Sequence, residues 1–298
     1  MFARRTAAHT QRLLLGALLA YALSACGVAA LMPVPAAAPV PTTSPAGAMV
    51  TPQSTPSPAA TKPGVPAPTV ATTQSAAQPP AATAPILPAN LAGVEWTALP
   101  TTRRVVALTF DGGAMAQGVP SILATLARKG VPGTFFLTGR WVSTYPDLAR
   151  RISAVPGNAI GNHTWDHASL VGLTDVQVQA EIADGERAIR TTTGRPLRPL
   201  FRCPYGASDG RVTAIANSMG YGNIGWTVDS LGWEGTARGQ SGDTVFSRVV
   251  GAARPGEIVL MHVGAAPDGS TLDADALGRT IDELRRRGYG FVALTDFV

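Results

Sequence analysis

The chemistry-bearing residues of this 298-residue chain are few and clustered. It has four histidines, and one of them, His9, lies in an N-terminal segment that reads as a leader. The other three are His163, His167 and His262. His163-Thr-Trp-Asp-His167 spaces two imidazoles four residues apart, which on a helical turn sets both on one face and suits a divalent cation. Alone, such a pair is weak evidence for a metal. It gains weight from Asp111 and His262, which close apolar runs elsewhere in the chain, because an ionisable group at the end of a buried strand is either satisfied by the core or part of a site. Arg202 and Asp229 fall at similar positions. Each residue also has a plainer reading. Asp111-Gly112-Gly113 has the composition of a turn, Arg202 that of a surface cation and Asp229 that of a helix cap, while Trp233 and Leu260 could be simple core.

The elements that must position these groups alternate. Short apolar runs bounded by Gly, Asn or Pro predict strands at 104–110, 133–138, 159–162, 200–203, 223–228, 258–262 and 290–294. Between them, amphipathic stretches predict helices at 119–129, 145–154, 175–193, 210–218, 244–252 and 274–287. Thr174 and Gln177 have the spacing of a capping box, and Gly288 follows the last helix as a stop. Strict alternation builds an α/β protein around a parallel sheet, open or closed into a barrel, with functional loops at the carboxyl ends of the strands. Asp111, His163, His167, Arg202, Asp229 and His262 all fall at or just after such ends, so the topology alone gathers them.

Composition divides the chain. From Leu13 to Val94 the single charged side chain is Lys62, and 15 of the 25 prolines precede residue 91. Such a stretch cannot bury enough apolar surface to fold, so residues 26–94 are expected to be a disordered Pro/Ala/Thr/Ser-rich tether and 95–298 one domain. Four of the 24 basic residues and none of the 19 acidic ones precede Glu95, so the domain carries 20 minus 19, or +1. That balance, with interspersed signs, excludes an electrostatic nucleic-acid face. Arg4, Arg5 and Arg12 precede a mostly apolar run of 13 residues, Leu13 to Ala25, too short to span a bilayer and typical of an export signal, residues 1–25. Leu23-Ser24-Ala25-Cys26 resembles a bacterial lipobox, which would make Cys26 the lipidation site, tie the protein to the cell membrane and place it outside the cytoplasm. A plain secretory signal cut near Ala30 is the alternative. Cys203, the only other cysteine, has no expected disulfide partner.

Five segments together carry a resemblance. Thr109-Phe-Asp111-Gly-Gly113, His163-Thr-Trp-Asp-His167, Arg202-Cys-Pro-Tyr205-Gly206, Asp229-Ser-Leu-Gly-Trp233 and Leu260-Met-His262 are similar, in order, to the five motifs of the polysaccharide deacetylases, the NodB-like carbohydrate esterase family 4. The resemblance spans essentially 105–298 and implies a distorted (β/α)7 barrel. It implies a metal-dependent hydrolase that removes N-acetyl groups from a cell-envelope or chitin-like polysaccharide. His163 and His167 would be metal ligands, with Asp111 as general base and a further candidate ligand, His262 as general acid, Arg202 orienting the base and Asp229 supporting the acid. Tyr205 would contribute its backbone N–H to an oxyanion site, and Trp233 and Leu260 would wall the sugar and the acetyl methyl. Zinc is the expected metal, with cobalt or nickel also suited to such a donor set.

The pattern is broken in places. Where the family's first motif has a second Asp as a metal ligand, this chain has Gly112, which should weaken affinity for a cation. The place could be taken by water or by Asp111, or the metal could be lost, leaving a catalytically silent carbohydrate-binding lipoprotein as the rival reading. Asp166 is a candidate substitute ligand, with solvent exposure as its plainer reading. Cys203 stands where proline is usual and is read as packing, and Gly232 stands where a second Asp commonly precedes the tryptophan.

Overall fold

A computed structural model describes residues 87–298, and the expected signal, lipobox cysteine Cys26 and most of the tether lie outside the described residues. The strands are β1 (Glu95–Trp96), β2 (Val105–Gly112), β3 (Thr134–Leu137), β4 (Ala159–Asn162), β5 (Leu200–Phe201), β6 (Gly222–Ile224), β7 (Val228–Asp229), β8 (Glu257–His262) and β9 (Gly290–Phe291). All pair in parallel in the order β1-β6-β5-β4-β3-β2-β8-β7, and β9 joins the start of β2. β6 and β7 follow one another in the chain but lie at separate places along that path, so the barrel is distorted and incompletely closed.

Helices α1 (Val119–Lys129), α2 (Gly139–Thr144), α3 (Pro146–Ala154), α4 (Asp175–Thr193), α5 (Gly210–Ser218), α6 (Gly242–Gly251) and α7 (Leu272–Arg286) connect the strands. The capping box at Thr174 and Gln177 is formed, each side chain meeting the other's backbone N–H. Two expectations need correction. The apolar run 223–228 is not one strand: it breaks at Gly225-Trp226-Thr227 into β6 and β7, which pair with β5 and β8 respectively. Helix α2 was not anticipated, because its six residues are too few to show a period; Thr138 caps it by accepting the Trp141 N–H at 3.1 Å.

Alternation along β2 explains how the core and the site share one strand. Val106, Leu108 and Phe110 join the larger core beneath the helices. Val105 and Ala107 face the smaller core inside the barrel, with Phe136, Leu200 and Ile258. Thr109 and Asp111 continue that inward row, which ends in a carboxylate at the mouth. In the adjacent strand β8, His262 is in register with Asp111.

Candidate active site

Asp111 is buried at the end of β2, and its two oxygens face different partners. Oδ1 accepts from Arg202 Nη1 at 2.7 Å, and Oδ2 stands 3.4 Å from His163 Nε2. Arg202, fully buried just after β5, uses four of its five N–H donors: Nη1 also donates to Thr109 Oγ1 at 2.9 Å, Nε to the Ile224 carbonyl and Nη2 to the Gly225 carbonyl, both at 3.0 Å. The guanidinium lies over the Phe136 ring, 4.1 Å from its centroid. Burial alone would raise the Asp111 pKa, but Arg202 beside it, aided by the imidazoles, holds the carboxyl below its ordinary value. The group is therefore a fixed anion.

His163 and His167 are brought together, though not by a helical turn. The segment after β4 is irregular, with Thr164 at φ +71° and His167 at φ +69°. Backbone N–H groups of Trp165 and Asp166 both donate to Glu181 Oε2, and the Thr164 N–H donates to Asn162 Oδ1. This loop sets the two rings 4.8 Å apart, edge to face. Gly113 leaves room for the second ring, since a Cβ there would meet His167 Cδ2 at 3.2 Å.

His163 Nδ1 lies 2.9 Å from the Arg202 carbonyl oxygen, and a carbonyl can only accept, so Nδ1 carries the hydrogen. Burial lowers the His163 pKa despite Asp111, so the ring is neutral and turns the Nε2 lone pair toward Asp111 Oδ2. Two acceptors facing each other require positive charge between them. Two donors about 2.1 Å from a tetrahedral cation are themselves about 3.4 Å apart, so this pair fits a cation. His167, held neutral with its pKa lowered to about 4 by burial and by His163, stands alongside. Among the described residues no three His, Cys, Asp or Glu side chains form a complete metal cluster.

The expected substitutes for the missing acid lie elsewhere. Asp166 is exposed and pairs with Arg140 at 3.2 Å, so it is not directed at the histidines. Burial pushes the Cys203 thiol up to about 12, which makes it packing rather than a thiolate ligand. A Cβ on Gly112 would meet Leu137 Cδ2 at 2.8 Å and Val263 Cγ2 at 3.1 Å, so apolar side chains have closed over the backbone there.

Opposite stands His262. Burial alone would lower its pKa, but Asp273, Asp111 and Asp229 together raise it, so this ring favours its protonated form while His163 and His167 favour the neutral one. Asp229 does not hydrogen-bond to it. The Asp229 oxygens accept from the Leu231 N–H at 2.9 Å and from Trp233 Nε1 at 3.2 Å, so this carboxylate shapes the loop and aims the tryptophan. The carboxylate nearest the ring belongs to Asp273 on α7, which lies outside all five motifs and was not anticipated.

Asp111, His167, Asp229 and His262 line one cleft of about 500 Å³, with His163 and Arg202 buried against Asp111. Tyr205, 69% exposed, and Trp233, 42% exposed, stand at its rim, and buried Leu260 lines it. Tyr205 sits at φ +61° with its ring 4.5 Å from that of His167. Trp226 also lines the cleft and was missed, because it lies inside the apolar run 223–228 that reads as one strand. The expected site residues of the domain thus line this cleft or touch residues that do, with Trp226 added to the lining and Asp273 behind His262.

Comparison with known proteins agrees with this architecture. Residues 98–224 match the family model described as polysaccharide deacetylase. A chitooligosaccharide deacetylase from Bradyrhizobium is 36% identical over 195 residues, covering 62% of this chain and 87% of that protein. The peptidoglycan-N-acetylglucosamine deacetylase of Bacillus cereus is 33% identical over 197 residues, covering 65% and 68%. Among solved structures, a family 4 pseudoenzyme from Bacillus anthracis superposes with a TM-score of 0.63 at 28% identity over 70% of each chain. With identities at these levels across most of the relatives' length, the chain belongs to the polysaccharide deacetylase family, hydrolases of carbon–nitrogen bonds other than peptide bonds.

Proposed function

We propose that this domain removes N-acetyl groups from a cell-envelope or chitin-like polysaccharide, peptidoglycan or chitooligosaccharide, at the cleft between Asp111 and His262. The observation that carries the reading is the opposition of a buried, Arg202-held carboxylate to an imidazole whose surroundings favour its protonated form. Groups with pKa values pushed apart are suited to separate base and acid roles. Asp111 accepts a proton from the attacking water through Oδ2, the oxygen Arg202 leaves free. Water oxygen bonds to the acetamide carbon, the C–N bond breaks, and His262 gives its proton to the departing amine, releasing acetate. Tyr205, Trp226 and Trp233 offer aromatic faces to the sugar.

His163 and His167 would hold a divalent cation beside Asp111, zinc being the metal best matched to this donor set, with cobalt or nickel as alternatives. It would supply Lewis acidity toward the acetamide carbonyl and acidify the water. A lipid anchor on Cys26 would fix the domain to the outer face of the cell membrane, with the proline-rich segment as tether. Incubating the full-length protein with N-acetylated chitooligosaccharides or peptidoglycan, with and without zinc or cobalt, should release acetate; none under any metal would overturn the enzymatic reading.

A second reading has its own support. Gly112 supplies no carboxylate, and Leu137 and Val263 have closed over it. One solved neighbour is described as a pseudoenzyme, and a mutant of it as having restored enzymatic activity. On this reading the domain binds the polysaccharide without turnover. Calorimetric titration showing sugar affinity with no acetate release and no bound metal would select it.

A further inference from the structure

Asp273 is the second residue of α7 and 3% exposed, an unusual burial for a helix-start acid. Its Oδ2 accepts the backbone N–H of His262 at 2.8 Å and stands 3.7 Å from His262 Nδ1. Its Oδ1 and His262 Nδ1 are both buried without a hydrogen-bond partner. Oδ2 has a lone pair left for a second hydrogen, and less than about 1 Å of closure between it and the unpaired Nδ1 makes the bond. Room for this carboxylate comes from Gly232: all three atoms nearest to a Cβ built there belong to the Asp273 carboxylate, Cγ at 2.6 Å.

We propose that Asp273 is the positioning residue of His262, taking the Nδ1 hydrogen so that Nε2 is the nitrogen offered to the cleft. The other charged or titratable groups facing His262 are Asp111 on β2, Asp229 on β7 and the imidazoles of His163 and His167. Asp229 is engaged by Leu231 and Trp233, Asp111 Oδ1 by Arg202, and Asp111 Oδ2 faces His163, so the only carboxylate among the described residues within 4 Å of a His262 ring nitrogen is that of Asp273. A helix-dipole role for Asp273 is separable, because exposed Asp275 in the same turn serves it equally.

The inference rests on His262 as the proton donor, and its test reads the ring independently of turnover. In 15N spectra of the full-length protein, at a pH where His262 is neutral, the wild type should show the Nδ1–H tautomer. Asp273→Asn should shift the signal toward the Nε2–H form and lower kcat by on the order of 10²-fold with KM within about twofold. Asp275→Asn should change neither. Asp273→Gly with Gly232→Asp moves the carboxylate to the facing backbone and should recover the Nδ1–H signal and at least roughly a tenth of wild-type kcat, whereas Gly232→Asp alone should not fit. A wild-type tautomer signature in Asp273→Asn, or a double variant no better than Asp273→Gly, overturns the proposal. If the wild type releases no acetate, the deacetylase reading fails and the nitrogen spectra still decide the role of Asp273.

Discussion

Replacing Gly112 by Asp asks what the missing acid costs and what it would return. Residue 112 ends β2, beside the turn that carries Gly113 against His167, and its Cβ would arrive 2.8 Å from Leu137 Cδ2 and 3.1 Å from Val263 Cγ2. Both are ends of side chains, so they can give way, and overpacking of this kind costs about 1–3 kcal/mol. For a domain of this size each kcal/mol moves Tm by about 2–4 °C, so in chelator the variant should melt roughly 2–12 °C below wild type. Leu137→Ala in the same chain should relieve the clash. With zinc the order should change, because a third donor tightens the site and a ligand at about 100 times its Kd adds about 2.7 kcal/mol to stability. Differential scanning calorimetry in chelator and across a zinc series measures both effects. A chelated variant that melts with wild type refutes the packing argument, and a zinc response no larger than wild type's refutes the claim that a carboxylate at 112 reaches the cation.

Three further outcomes are expected. Burial pushes the Glu257 carboxyl up to about 7 from an unfolded value near 4.5, and neither of its oxygens has a partner. The folded state therefore holds this proton more tightly, and stability is lost as pH rises from about 4.5 through 7, by up to about 3 kcal/mol. Glu257→Gln should remove that loss, read as a smaller fall in Tm between pH 5 and pH 9. Arg202→Lys keeps the charge but cannot reproduce four hydrogen bonds from one planar fork, and should destabilise by about 2–4 kcal/mol in urea titrations; a cost below 1 kcal/mol would contradict the geometry. Tyr205→Ala removes an exposed ring and should leave Tm nearly unchanged while raising KM for a chitooligosaccharide roughly fivefold; a fall in kcat alone would place the ring elsewhere in the reaction.

The alternation of strand and helix was readable because apolar period and turn residues are local properties. So was the gathering of Asp111, His163, Arg202 and His262, since strand ends of a barrel converge whatever loops follow. What was not readable depends on contacts between distant segments. The His163–His167 loop has no local period, because Glu181 from α4 holds two of its backbone N–H groups. The partner of His262 was assigned to Asp229 by motif order, whereas the carboxylate beside it comes from Asp273, and no sequence pattern shows that Gly232 clears its place. The run from 223 to 228 looked continuous because apolar content does not report which neighbour each half will pair with.

Residue 202 serves the site twice. Its guanidinium grips the carboxylate of Asp111 while its backbone carbonyl fixes the ring of His163, so one residue sets both the anion and the imidazole opposite it. A shift of the chain near 202 therefore displaces both partners in concert and leaves no state with one aligned and the other loose. Partial loosening of that segment should switch the mouth of the barrel off as a unit, and engineering that aims to tune base strength without disturbing cation affinity will have to work from another strand.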